Sequence, residues 1–116
     1  MSKEYAVLVE KYEGPGDTYE HAISIGPAPE VLPYDGDENR DVVFYQVVRL
    51  NGNEERIRSD FRNLSGLVVA KKPGEVKGNT VTRNTMSSQR IVKTSLTKFF
   101  NKMGVEMKEN SWLTEP

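Results

Sequence analysis

Cysteine is absent from the 116 residues. That excludes disulfide scaffolds, cysteine-ligated zinc, iron–sulfur clusters and thiol nucleophiles, and it fits a reducing, cytoplasmic setting. Long apolar runs are missing too. The first, Tyr5-Ala6-Val7-Leu8-Val9, ends at Glu10, too short for the hydrophobic region of a signal peptide. No later run approaches the ~18 residues of a membrane span, so no membrane partner is expected. Histidine occurs once, as His21, with no zinc-ligand neighbour, and no serine sits in a G-x-S-x-G elbow. Gly74 to Asn79 lacks the spacing of a phosphate loop, and Gly14-Pro15-Gly16 is too short for a dinucleotide fingerprint. Asn63-Leu64-Ser65 matches a glycosylation sequon only by chance, since no secretory signal accompanies it. Without a converging nucleophile, base and oxyanion donor, the chain reads as non-enzymatic and free of cofactor. A small hydrolase or transferase built on His21 is the weakest alternative.

What is present is a polar chain, 36% apolar and 28% charged, with a mean hydropathy of −0.61. Residues 1–116 are expected to form one domain with a core small enough for self-association to add to it. The net charge of −1 hides an asymmetry. Residues 1–60 carry thirteen acids against six bases (−7), and residues 61–116 carry four acids against ten bases (+6). A surface of one sign attracts anions and steers their approach. The competing reading is that the acidic half lies against the basic half, within the fold or in a head-to-tail oligomer.

Along the chain, Tyr5 to Tyr12 alternates as a strand covered on much of both faces, and Tyr19 to Ile25 reads as a weaker strand. Residues 26–41, rich in Pro and Asp, form a long loop expected to be mobile. Val42 to Arg49 is dense in β-branched and aromatic residues, as in a central strand. Asn51-Gly52 predicts a type I′ hairpin turn with a charged return strand over 54–59. A second hairpin is expected around Pro73-Gly74. Ser87 or Ser88 caps the one predicted helix, which ends at Gly104. Val92, Leu96, Phe99 and Met103 form its core stripe, widened by Ile91 and Phe100. Val105 to Lys108 alternates like a last short strand, and Trp112 with Leu113 is expected to anchor the C-terminus onto the body or onto another subunit. The expected fold is therefore α+β: a single domain with a twisted antiparallel sheet of about five or six strands, packed by one C-terminal helix. A small β-barrel capped by that helix is the alternative.

The start of that helix breaks an electrostatic rule. A first turn exposes unpaired N–H groups and favours Asp or Glu, yet the sequence there is Ser87-Ser88-Gln89-Arg90. A bound anion resolves the conflict, with Thr85, Ser87, Ser88, Arg90 and Lys93 as its seat. Arg90 extending into water is the plainer reading. Lys71, Lys72, Lys77, Lys98 and Lys102 would supply a basic surface able to follow a nucleic-acid backbone, although edge lysines also simply block sheet-edge pairing. No aromatic ladder accompanies them outside the core-facing Phe99 and Phe100. The acidic run with Asp35, Asp37 and Glu38 fails as a calcium loop, because an EF-hand's glycine position is Arg40 and its glutamate position is Gln46. With Trp112 it is instead a candidate contact for a protein partner.

The function expected from these features is recognition of a nucleic-acid backbone or a phosphate-bearing nucleotide by the basic C-terminal half. The alternative is an assembly component, an inhibitor or adaptor forming a homo-oligomer. Its size and lack of cysteine would suit an accessory protein of a virus or mobile element.

Overall fold

The structure, a computed structural model, describes residues 2–13, 19–31, 40–65, 69–70, 81–84 and 87–113. Three long strands, Ser2–Glu13 (β1), Tyr19–Pro27 (β2) and Arg40–Asn51 (β3), form an antiparallel sheet with β1 in the middle. Helix Glu54–Ser65 (α1) follows. Two short strands, Val69–Ala70 (β4) and Val81–Asn84 (β5), then pair along the outer edge of β2. Helix Ser87–Met103 (α2) and a 3-10 turn at Glu109–Ser111 complete the chain. No helix among the described residues is long and apolar enough to cross a membrane.

β1 is central because both of its faces are apolar. Tyr5, Val7 and Val9 point into the main core with Ile23 and Ile25 of β2 and Phe44, Val48 and Leu50 of β3. Ala6 and Leu8, on the opposite face, pack with Val31, Ala28, Val42 and Tyr45. The turn after β2 is folded under that second face: Ala28 N–H donates to the Glu4 carbonyl (3.1 Å) and the Tyr45 hydroxyl to the Val31 carbonyl (3.3 Å). Each buried Val, Leu, Ile or Phe contributes about 1.5–3 kcal/mol relative to exposure. A strand apolar on both faces therefore favours the inner position. Val42 to Arg49, expected at the centre of the sheet, lies instead in the edge strand β3, with Val47 42% exposed on the face it shares with Ala6.

The expectation of five or six antiparallel strands packed by one helix is overturned, and the β-barrel alternative with it. The structure is an α+β domain whose sheet is three long antiparallel strands, packed by two helices on one face. Residues 54–59 are not a return strand but the first half of α1. Glycine is still required after Asn51, since Gly52 has φ +124°. The turn nevertheless leads into a helix, because Asn53 accepts the Arg56 N–H on its side chain (2.8 Å) and the Ile57 N–H on its carbonyl (3.1 Å). Glu54 and Glu55 fill the first turn, as the helix dipole favours. Ile57, Phe61 and Leu64, spaced four and three apart, supply its apolar stripe, and Phe61 meets Phe99 of α2 with ring centroids 4.7 Å apart. Within the second expected hairpin, β4 runs parallel to β2. The turn itself lies outside the described residues, as do residues 32–39 of the expected 26–41 loop, whose ends at 26–27 and 40–41 belong to β2 and β3.

α2 matches its predicted span within a residue. Val92, Leu96, Phe99 and Phe100 are buried, while Ile91, expected at the margin of the stripe, stands 43% exposed. The helix stops at Gly104, φ +69°. The Val105 N–H reaches back to the Phe100 carbonyl (3.0 Å) and the Gly104 N–H to the Asn101 carbonyl (3.3 Å), the two bonds of a Schellman motif. The segment after it is irregular rather than a strand, because its hydrogen bonds go to a side chain, as described next.

Candidate functional site

The outward side of α2 presents Arg90, Lys93, Thr94, Lys98, Asn101 and Lys102, all exposed. From Arg90 to Lys102 this face runs roughly 18 Å at 1.5 Å rise per residue. No acid occurs anywhere in the helix. The Thr94 and Thr97 hydroxyls bond back to the Arg90 and Lys93 carbonyls (3.1 and 2.8 Å), which leaves the long cationic side chains as the groups that reach outward.

The acidic half does not neutralise this face among the described residues. The ion pairs found there join Glu4 to Arg49 (3.9 Å), Asp60 to Arg56 (4.0 Å), and Glu54 and Glu55 to Arg58 (3.8 and 3.5 Å). Every partner lies within residues 1–60. Arg58 is buried, and its guanidinium also donates to the Ile25 carbonyl (3.2 Å). A cleft of about 410 Å³ beside it is bordered by Lys3, Tyr5, Glu54 and Glu55. Those two carboxylates already engage Arg58.

The other sequence-predicted residues divide as follows. Ser87 and Ser88 open α2, but their side chains lie outside the description; Thr85 is outside it altogether. Lys71, Lys72, Lys77, Asp35, Asp37 and Glu38 are likewise outside the described residues. His21 is buried in β2, opposite Lys11 of β1 and Thr82 of β5. No cluster of three or more metal-ligating side chains occurs among the described residues.

Trp112 and Leu113 anchor the C-terminal segment onto the body, the first of the two placements expected for them. Trp112 lies against its own chain, ring centroid 4.6 Å from that of Phe44, with a β-bridge between the two residues. The Leu113 N–H also donates to the Val43 carbonyl (2.9 Å). The segment leading to it is held by Gln46, the one amide among the apolar residues 42–48 of β3. Gln46 Nε2 donates to the Glu106 carbonyl (2.8 Å), while its Oε1 accepts the Lys108 N–H (3.0 Å) and the Ser111 hydroxyl (3.1 Å). Buried polar groups are retained when their bonds are made. The only advance signal was one amide among the apolar residues of 42–48.

This anchoring brings the half-buried Trp112 beside the basic face: the Lys93 ammonium stands over its ring, 5.9 Å from the centroid. Lys93, Trp112, Met107, Glu106 and Glu109 line a cleft of about 390 Å³. An aromatic does therefore accompany the basic residues, supplied from a segment some twenty residues later in the chain (Trp112 against Lys93). No family model, no curated protein and no solved structure matches this chain.

Proposed function

We propose that the protein is a non-catalytic, anion-recognising protein whose ligand is a nucleic-acid backbone running along the outward face of α2. One observation carries this reading: Arg90 and Lys98 on the outward face of α2, with Lys93 and Lys102 at its two margins, are exposed on a helix without an acid, and none of them forms an ion pair among the described residues. α1 supplies the contrast, with Glu54, Glu55 and Asp60 interleaved among its arginines and paired to them. Cations spread over roughly 18 Å of helix suit successive phosphates better than the single phosphate of a free nucleotide. Releasing the counterions of those phosphates makes affinity fall steeply with salt.

The test is binding to a labelled single-stranded oligonucleotide across a salt series. Four phosphate contacts predict a slope of log affinity against log salt of roughly −3, from about 0.7 per contact on single strands. Replacing Arg90 and Lys93 with Ala would bring it to about −1.5 by the same estimate. Absence of binding at low salt, or a slope untouched by the double substitution, refutes the proposal. Binding of mononucleotides with no gain on longer strands would point to a single phosphate seat instead.

A further inference from the structure

We infer that the cleft between Lys93 and Trp112 is a base-binding site that accepts one unstacked guanine of a single strand whose backbone follows α2. This deepens, and rests on, the proposed polyanion reading. The cleft joins the three kinds of group such a site needs. Trp112 supplies the stacking surface, since single-strand binders combine a basic track with an aromatic on which a base lies. It is held by an edge contact with Phe44, ring centroids 4.6 Å apart, and by the bridge to β3, so the ring is fixed before a base arrives. Met107 adds an apolar wall.

Glu106 and Glu109 decide which base is taken. An ionised carboxylate only accepts hydrogen bonds, so it repels phosphate and selects a base edge rich in donors. Guanine presents N1–H and the N2 amino group side by side on its Watson–Crick edge, a pair that one carboxylate accepts together. Adenine and cytosine offer one amino group there, and thymine a single ring N–H. The carboxylates thus turn the base inward and the phosphate outward, toward Lys93 and Arg90. Lys93 rests over the indole ring, 5.9 Å from its centroid. A stacking base takes that place, and the displaced ammonium moves to the phosphate. Recognition through Watson–Crick edges requires an unpaired base, so a duplex is excluded from the cleft.

Trp112 is the sole tryptophan, so its emission reports directly on the site. The experiment titrates the intact protein with oligothymidylate, with the same strand carrying one guanosine, with one carrying inosine in its place, and with a duplex. The guanosine strand is expected to quench Trp112 and to bind roughly tenfold tighter than oligothymidylate, the discrimination of a bidentate base contact. Inosine, which lacks the N2 amino group, loses most of that gain. Glu106 and Glu109 are exposed, so the E106Q/E109Q variant keeps its fold. It should retain oligothymidylate binding and lose the guanosine preference. Binding without a change in Trp112 emission, equal quenching by duplex, or an unaltered preference in that variant overturns the inference while leaving the polyanion reading intact. Failure to bind any strand at low salt removes both.

Discussion

Replacing Gln46 with Leu tests whether one buried amide holds the C-terminal segment, and with it Trp112, in place. Gln46 is 6% exposed and makes three hydrogen bonds to residues sixty or more positions later in the chain. Leucine has similar bulk and none of these bonds. A typical intramolecular hydrogen bond contributes a net ~0.5–1.5 kcal/mol. Glu106 and Lys108 are exposed, so their backbone groups regain water when Gln46 is lost, and those two bonds belong at the low end. Ser111 is buried at 7% exposure, and its stranded hydroxyl belongs at the high end. Together the expected loss is about 2–2.5 kcal/mol. Urea unfolding followed by circular dichroism would show it as a lower midpoint at unchanged slope. Trp112 emission should shift to the red in the native baseline as the segment loosens from Phe44. Gln46→Glu refines the test. A carboxylate still accepts from Lys108 and Ser111 but cannot donate to the Glu106 carbonyl, and burial raises its pKa. Its destabilisation at neutral pH should ease as pH falls through that raised value, where the protonated acid regains a donor. A midpoint unchanged in Gln46→Leu, with emission unshifted, would refute the assignment of Gln46 as the anchor.

Gly104→Ala should cost about 1–2 kcal/mol. Nothing lies within 4 Å of an added Cβ, so the φ of +69° is the whole reason; urea unfolding that showed no loss would mean that the Schellman end does not stop α2. Tyr5→Phe removes the bond from its hydroxyl to the Gly52 carbonyl (2.8 Å) and should cost about 1 kcal/mol at neutral pH. The Tyr5 hydroxyl is raised above 10.0 by burial and then by the Glu54 charge, with Arg58 opposing. Burial raises Tyr45 as well. The folded state therefore holds these protons more tightly than the unfolded chain, and the stability they contribute is complete below 10.0 and lost as pH rises through the folded values. Stability measured from neutral to alkaline pH should fall less steeply in Tyr5→Phe than in the wild type. Equal slopes would refute the linkage.

Sequence alone determined the features that depend on local periodicity. The two apolar faces of Tyr5 to Tyr12, the strand around Val42 to Arg49, the span of α2 and its stop at Gly104 all follow from spacing and from glycine's access to positive φ. The acid-free stretch of α2 was equally plain. Reading stopped where two local codes competed: Asn51-Gly52 is a hairpin signal, but Asn53 with the Ile57, Phe61, Leu64 stripe makes a helix. The helix wins because it buries that stripe beside α2, a gain that exists only once α2 is in place. Tertiary structure likewise decided what surrounds the basic face. Among the described residues, Glu4, Glu54, Glu55 and Asp60 pair with arginines of the same half, and Gln46 draws the tail back along β3 until Trp112 stands beside Lys93. Hydrogen bonds spanning sixty residues leave no periodic trace, so no inspection of neighbouring positions could have joined that tryptophan to the helix.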